Sequence, residues 1–279
     1  MNMSKTVMVN PVNYKFVILA TGFSILFFSG GSRAVLGLML KPMTEDLGWS
    51  RSSLSLSFTA FMVVSALILP LVGLLVDRYQ THLRWMMATG ILLVALGVGA
   101  TGLASAQWHV LVTYGIFYAI GHSTVGNPIV GVMISRWFDQ RRALANSLAV
   151  SGSAVGQLVI IAALAWAMTS ITWREAYIVL GIATLAIVPL VLLLVRTRPE
   201  IDIKGSAKTR DVVEPDYRLD VTTPLRAIVV SRAFLLLVFV YVACGIQDFF
   251  MMTHVVAFAV DQSMNPVLAG NMLAAMGLA

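Results

Sequence analysis

Hydrophobic residues run along this chain in long unbroken stretches, at about 16–40, 53–76, 86–104, 110–134, 143–168, 176–195 and 233–260. Each stretch is long enough for the roughly 20 residues that a helix needs to cross a ~30 Å hydrocarbon layer. None alternates apolar and polar positions as a barrel strand does, and only helices or closed barrels satisfy their backbone polar groups in lipid. The pattern predicts an all-α polytopic membrane protein with seven spanning helices. An eighth apolar run starts at Pro266 and reaches Ala279. It rises only about 20 Å, too little to cross. It is therefore read as the opening of an eighth helix, in a chain cut short there.

Composition agrees with the pattern. Hydrophobic residues make up 58% of the chain and charged residues 11%, against roughly 45–50% and about 25% in soluble domains. The first run is longer than the apolar core of a signal peptide, contains Arg33 and lacks a small-residue cleavage site, so it is expected to stay as helix 1.

Charge sets the expected orientation. Lys5, Lys15, Arg78, Arg84, Arg136, Arg141, Arg142 and eight Lys or Arg between 196 and 232 fall on one side of the alternation. Lys41, Arg51 and Arg174 fall on the other. Cytoplasmic loops hold the Lys/Arg excess, which places the N-terminus in the cytoplasm. The net charge of +6 follows from this asymmetry, and no groove-reading motif points to nucleic acid. Segment 196–232 is the one long polar stretch. Its mixed charges, Gly205, Pro215 and Pro224 read as a cytoplasmic linker, with Thr223-Pro224 opening a short helix. The expected organisation is a six-helix bundle over 1–195, a linker over 196–232 and further spanning structure over 233–279.

Soluble-enzyme signatures are missing: no P-loop, no dinucleotide glycine pattern and no HExxH. Gly121-His122-Ser123 only faintly resembles a nucleophile elbow, because the closing glycine is Gly126 and the setting is a spanning helix. The single Cys244 supports neither a disulfide nor a metal site. The chain is expected to be no enzyme and to need no cofactor or metal.

The informative residues are ionisable groups inside the spans, where a charge costs on the order of 2.5–3.5 kcal/mol and tends to serve function. Arg33 follows Ser29-Gly30-Gly31-Ser32, small residues read as leaving room for a bulky cation. Asp248 lies near the middle of helix 7, beside Gln247. The structural alternatives are an Arg33–Asp248 pair that only joins helices, or an Arg33 that snorkels to the interface. His122 in helix 4 and His254 in helix 7 are candidates to carry a proton or bind an anion, with buried structural histidines as the alternative. Gly152 and Gly156 in helix 5 predict close helix approach, and Pro128 predicts a bend in helix 4.

Short motifs then suggest a family. Gly73-Leu74-Leu75-Val76-Asp77-Arg78-Tyr79 resembles the loop signature after helix 2 in the major facilitator superfamily, although Gln80 stands where a glycine is usual. Gly48-Trp49-Ser50-Arg51-Ser52, Arg136-Trp137-Phe138 with Arg141-Arg142-Ala143-Leu144-Ala145, Ser151-Gly152-Ser153-Ala154-Val155-Gly156 and Trp173-Arg174-Glu175-Ala176 look like the monocarboxylate transporter group, with bacterial members related to oxalate:formate antiporters. The resemblance implies a major facilitator fold of twelve helices in two halves, and a multi-pass place in the cell's inner membrane. It implies that helices 1, 4, 7 and 10 line a cavity where Arg33 serves substrate carboxylate or proton coupling, with Asp248, His254, Tyr118 and His122 as neighbours. Gly73, Asp77, Arg78, Arg141 and Arg142 would form a conformational gating loop. An Asp–Arg pair known in helix 8 of some members has no match in this sequence. The expected partners are a small organic anion, protons and the lipid bilayer. The leading function is secondary transport of monocarboxylates with a proton, and the alternatives are an exporter of drugs or other solutes, a membrane sensor, or a fragment without transport.

Overall fold

The computed structural model describes residues 11–79, 82–138, 141–195 and 229–278, and side chains from residue 14 onward. The linker expected over 196–232, apart from its last four residues, lies outside the described residues together with Thr223-Pro224. Every described element is helical. They are α1 Pro11–Leu47, α2 Arg51–Arg78, α3 Leu83–Thr101, an interrupted α4 over 107–135, α5 Arg142–Ala167, α6 Trp173–Leu194, α7 Arg232–Asp261 and α8 Pro266–Ala275. All of these except α4 and α8 are long and apolar enough to cross a membrane as single stretches.

Local chemistry sets the ends. Gly48 adopts φ +64° just past α1, the left-handed position that a glycine takes cheaply after a helix. The Ser50 hydroxyl then caps α2 by accepting from the Ser53 N–H at 3.3 Å. At α6 a reciprocal capping box forms. Thr172 Oγ1 accepts from the Glu175 N–H at 3.3 Å, and Glu175 Oε2 accepts from the Thr172 N–H at 2.8 Å. Asn265 Oδ1 caps α8 through the Val267 N–H at 2.8 Å.

The expected bend in α4 occurs two residues before Pro128, at Gly126, whose backbone is extended (ψ 174°). Pro128 then sits in the first turn of Asn127–Ser135, where its missing N–H costs nothing. Upstream, α4 runs through Gln107–Val112, a six-residue π-turn over Thr113–Tyr118, and Ala119–Val125. The uniform span predicted for helix 4 is thus three local geometries.

The chain divides into two compact units. One comprises 1–197 and 253–279, the other 198–252. In the first, α1 and α5 approach through glycine. A Cβ at Gly152 would lie 2.5 Å from the Phe23 carbonyl oxygen, and one at Gly156 would overlap the Phe27 carbonyl. From the other side, a Cβ on Gly30 would overlap Ser153, and one on Gly31 would lie 2.8 Å from the Gly156 carbonyl oxygen. Such backbone-to-backbone packing is what small residues allow between membrane helices. It corrects the reading of Gly30 and Gly31 as room for Arg33: α5 fills that space. Gly121 likewise presses α4 onto the Gly90 carbonyl of α3, and Gly181 seats α6 against Gly99. On α5, Gln157 Nε2 donates to the Leu273 carbonyl of α8 at 3.0 Å.

In the second unit, 232–252 is an apolar helical stretch with Leu235, Leu236, Phe239, Tyr241, Ile246 and Phe250 all exposed. Cys244 is also exposed there, so it does not fill a core as its type usually does.

Candidate functional site

The sequence-selected residues of helices 1 and 4 come together midway along the first unit. The π-turn delivers Tyr114 and Tyr118 as a stacked pair, with ring centroids 4.7 Å apart and planes 16° from parallel. His122 continues the same face one turn on, 5.5 Å from the Tyr118 ring. Phe61 of α2 backs all three, at 5.8 Å from Tyr114, 5.3 Å from Tyr118 and 5.4 Å from His122. These are ordinary separations for tilted and edge-on aromatic pairs.

The polar edges of this aromatic column face α1. Tyr114 Oη donates to the Arg33 carbonyl at 2.8 Å. Tyr118 Oη lies 3.1 Å from Ser32 Oγ and 3.4 Å from the Ser29 carbonyl. Ser29 Oγ lies 2.9 Å from His122 Nδ1. Tyr114, Tyr118, Ser29 and Ser32 are buried, whereas Arg33 and His122 are half-buried. The Arg33 guanidinium is close enough to act electrostatically on Tyr114, Tyr118 and His122. Tyr177 of α6 lies within electrostatic reach of Tyr118, and its fully buried hydroxyl has no hydrogen-bond partner among the described residues. One permanent cation thus sits beside one imidazole and a cluster of hydroxyls that bond to one another, to α1 carbonyls and to the imidazole; the guanidinium is the group suited to a small anion with planar oxygens.

Tyr114, Phe58 and Phe61 escape a reading that weighs ionisable groups alone. Their signal was available, since Phe58/Phe61 and Tyr114/Tyr118/His122 follow the i,i+3 and i,i+4 spacing of a single helix face.

The helix 7 candidates fall in different places. His254 is half-buried in the first unit and within electrostatic reach of Arg51. Asp248 lies in the second unit on an exposed face.

At the end of the first unit bearing the α1–α2 and α5–α6 connections, charge is arranged in pairs. Asp261 accepts from Arg51 Nη2 at 2.9 Å and from Lys41 Nζ at 3.0 Å. Arg174 donates to the Ala104 carbonyl at 2.7 Å, lies 3.6 Å from Asp46 and stacks 4.3 Å over the Trp173 ring. Trp173 Nε1 donates to Asp46 at 3.1 Å. A cavity of about 610 Å³ opens here, with Lys41, Asp46, Trp173, Arg174 and Asn265 in its wall.

The loop residues form a separate group. Asp77, at the end of α2, acts electrostatically on half-buried Arg136 after α4. Burial lowers the Arg136 guanidinium from its ordinary value, and the Asp77 carboxylate works in the opposite direction. Arg141 holds a left-handed backbone (φ 59°) before α5, and Arg142 Nε donates to the Phe138 carbonyl at 2.8 Å. Arg78 is exposed, and a Cβ at Gly73 would meet open space.

Known proteins share this architecture. A bacterial homologue of the human lysosomal transporter Spinster, crystallised inward-facing and unoccupied, superposes with a TM-score of 0.58 at 17% identity, covering 67% of this chain and 44% of that one. Mouse monocarboxylate transporter 11 is 28% identical over 174 residues, 62% of this chain and 38% of its own length. The uncharacterized MFS-type transporter YcxA of Bacillus subtilis (strain 168) is 27% identical over 201 residues, 70% of this chain and 48% of its own. The chain therefore spans less than half the length of these relatives. The model of the Major Facilitator Superfamily matches residues 22–279, so this all-helical, membrane-spanning chain belongs to that superfamily of transporters.

Proposed function

We propose that the chain is part of a secondary active transporter that moves small monocarboxylates together with a proton by alternating access. One observation carries this reading: Arg33, a permanent cation in the middle of an apolar bundle, stands beside the hydroxyls and imidazole contributed by α1 and α4. Holding such a charge away from water is expensive without a purpose, and a guanidinium matches a planar carboxylate. Several relatives bear the name monocarboxylate transporter, which supports the same substrate class. Asp248 or His254 is the group proposed to exchange the proton. Gly73, Asp77, Arg78, Arg141 and Arg142 are proposed to gate the cytoplasmic end, and the Lys/Arg asymmetry supports a cytoplasmic N-terminus in the inner membrane.

The test uses the full-length gene in a host lacking its own uptake system. Arg33→Ala is expected to abolish accumulation of labelled lactate or pyruvate. Proton-driven uptake that survives Arg33→Ala undiminished would overturn the assignment. Competition by organic acids but not by neutral sugars or drugs is expected, and the reverse ranking would favour an exporter of neutral solutes.

A further inference from the structure

The Ser29–His122 contact fixes more than packing. Buried hydroxyl protons need an acceptor, and most serines in these helices find one on a carbonyl three or four residues back. Ser24, Ser32, Ser55 and Ser123 all do so. Ser29 does not. It is 3% exposed, and among the described residues its hydroxyl has a single partner, His122 Nδ1 at 2.9 Å. If Nδ1 carried the ring proton, the Ser29 proton would be buried with no acceptor. The arrangement that leaves the Ser29 proton paired has Ser29 donating, Nδ1 accepting and the ring hydrogen on Nε2. The second group near Nδ1, the Tyr118 hydroxyl at 3.5 Å, can donate or accept and so is compatible with a bare Nδ1. Among the described residues every hydrogen bond of His122 runs through Nδ1, and Nε2 is not one of the buried unpaired atoms. The Nε2–H thus opens to the accessible side of the ring.

We propose that Ser29 locks His122 as a neutral Nε2–H donor, so that His122 is the second prong of an anion site with Arg33 and not the carrier of the transported proton. The electrostatics point the same way. Arg33 from α1 is the charged group acting on His122, and the other groups facing it are Ser29 from α1, Tyr118 from α4 itself and the Phe61 ring from α2. With a cation and no carboxylate among these neighbours, the charge facing the ring is complementary to an arriving anion. A carboxylate arriving there finds a charged planar fork from α1 and a neutral donor from α4. The ligand class is a small monoanionic carboxylate, and Ser29 is a positioning residue. The anion role rests on the function proposed above, whereas the tautomer is independent of it.

The tautomer is tested on the chain with ¹⁵N-labelled histidine in lipid nanodiscs, the His122 signals being assigned by their loss in His122→Gln. A bare Nδ1 and a protonated Nε2 at neutral pH are expected, with the Nδ1–H form gaining population in Ser29→Ala. An imidazolium, an Nδ1–H ring in the parent chain, or no change in Ser29→Ala would overturn the proposal. Transport by the full-length protein separates the two roles. His122→Gln presents an amide N–H near the Nε2 position and is expected to keep KM within about threefold. His122→Ala is expected to raise KM by about ten- to a hundredfold, the loss of one hydrogen bond to a charged group. Uptake in both variants keeps the parent's dependence on the proton gradient. Loss of that dependence in His122→Gln, with substrate exchange retained, would make His122 the proton carrier. Absence of anion uptake by the parent protein would sink the transport reading and leave the labelled-histidine result standing.

Discussion

Replacing Gly156 with alanine probes the α1–α5 contact with one methyl group. The new Cβ would overlap the Phe27 carbonyl of α1, and a backbone atom has no rotamer to escape into. The helices must separate locally, and Gly31, whose own Cβ position lies 2.8 Å from the Gly156 carbonyl, shares the same seam. Overpacking of this kind costs about 1–3 kcal/mol. The upper part of that range applies because both partners are main chain. Alanine recovers about 1 kcal/mol of helix propensity over glycine, which leaves a net loss of about 2 kcal/mol. For a chain of this size that is a fall of roughly 4–8 °C in Tm. The assay is thermal unfolding of the purified chain in detergent, followed by tryptophan fluorescence. Gly73→Ala is the control, since its Cβ would meet nothing within 4 Å; it is expected to hold or raise Tm. A Gly156→Ala protein as stable as the parent would refute the backbone-to-backbone packing.

Other substitutions test the polar contacts. Tyr118→Phe removes the hydroxyl facing Ser32 and the Ser29 carbonyl. It is expected to lower stability by about 1 kcal/mol in the same melt, because Ser32 keeps its bond to the Ser29 carbonyl. Arg174→Lys keeps the charge but loses the fork that reaches the Ala104 carbonyl and Asp46 while covering Trp173; a loss of about 1–2 kcal/mol is expected, and a neutral result would show that charge alone suffices. Asp261→Asn weakens its pairs with Lys41 and Arg51, all partly exposed. Its effect is expected to stay within about 1 kcal/mol and to shrink further in high salt; a larger, salt-independent loss would contradict that exposure.

Much of the architecture was legible because lipid imposes length and apolarity on every span. The run at 143–168 is α5 within a residue, and 53–76 lies inside α2. The interior of α4 was not legible. Nothing in Thr113-Tyr114-Gly115-Ile116-Phe117-Tyr118 forces a π-turn by propensity; the backbone settles that way between α2 and α3, where Gly115 meets Ser57 and Ala60, and Gly97 meets Thr113 and Tyr118. Around Arg33 the composition was read correctly but the facing was not. Ser29 and Ser32 turn toward α4, whereas Gly30 and Gly31 turn toward α5. That split depends on which neighbour lies on which side, which a helical period alone does not state. Pairings such as Asp46 with Trp173 and Arg174, more than a hundred residues apart, depend on how the bundle closes.

The π-turn in α4 also takes up an extra residue. A π-bulge accommodates one residue more than an α-helix would over the same rise, and each residue of an α-helix turns the chain by about 100°. Removing one residue there, for instance the partly exposed Ile116, would let the segment relax to regular α-helix without shortening the span. Everything beyond it would keep its orientation, because the bulge takes up its extra residue over the same turn as well as the same rise. His122 would stay on the face it shares with Ser29, and Gly121 would still meet the Gly90 carbonyl, whereas a deletion that no bulge absorbs would swing the imidazole by about 100°. The π-turn is therefore an absorbed single-residue insertion, a stretch of α4 where the chain can shorten by one residue without re-aiming the site.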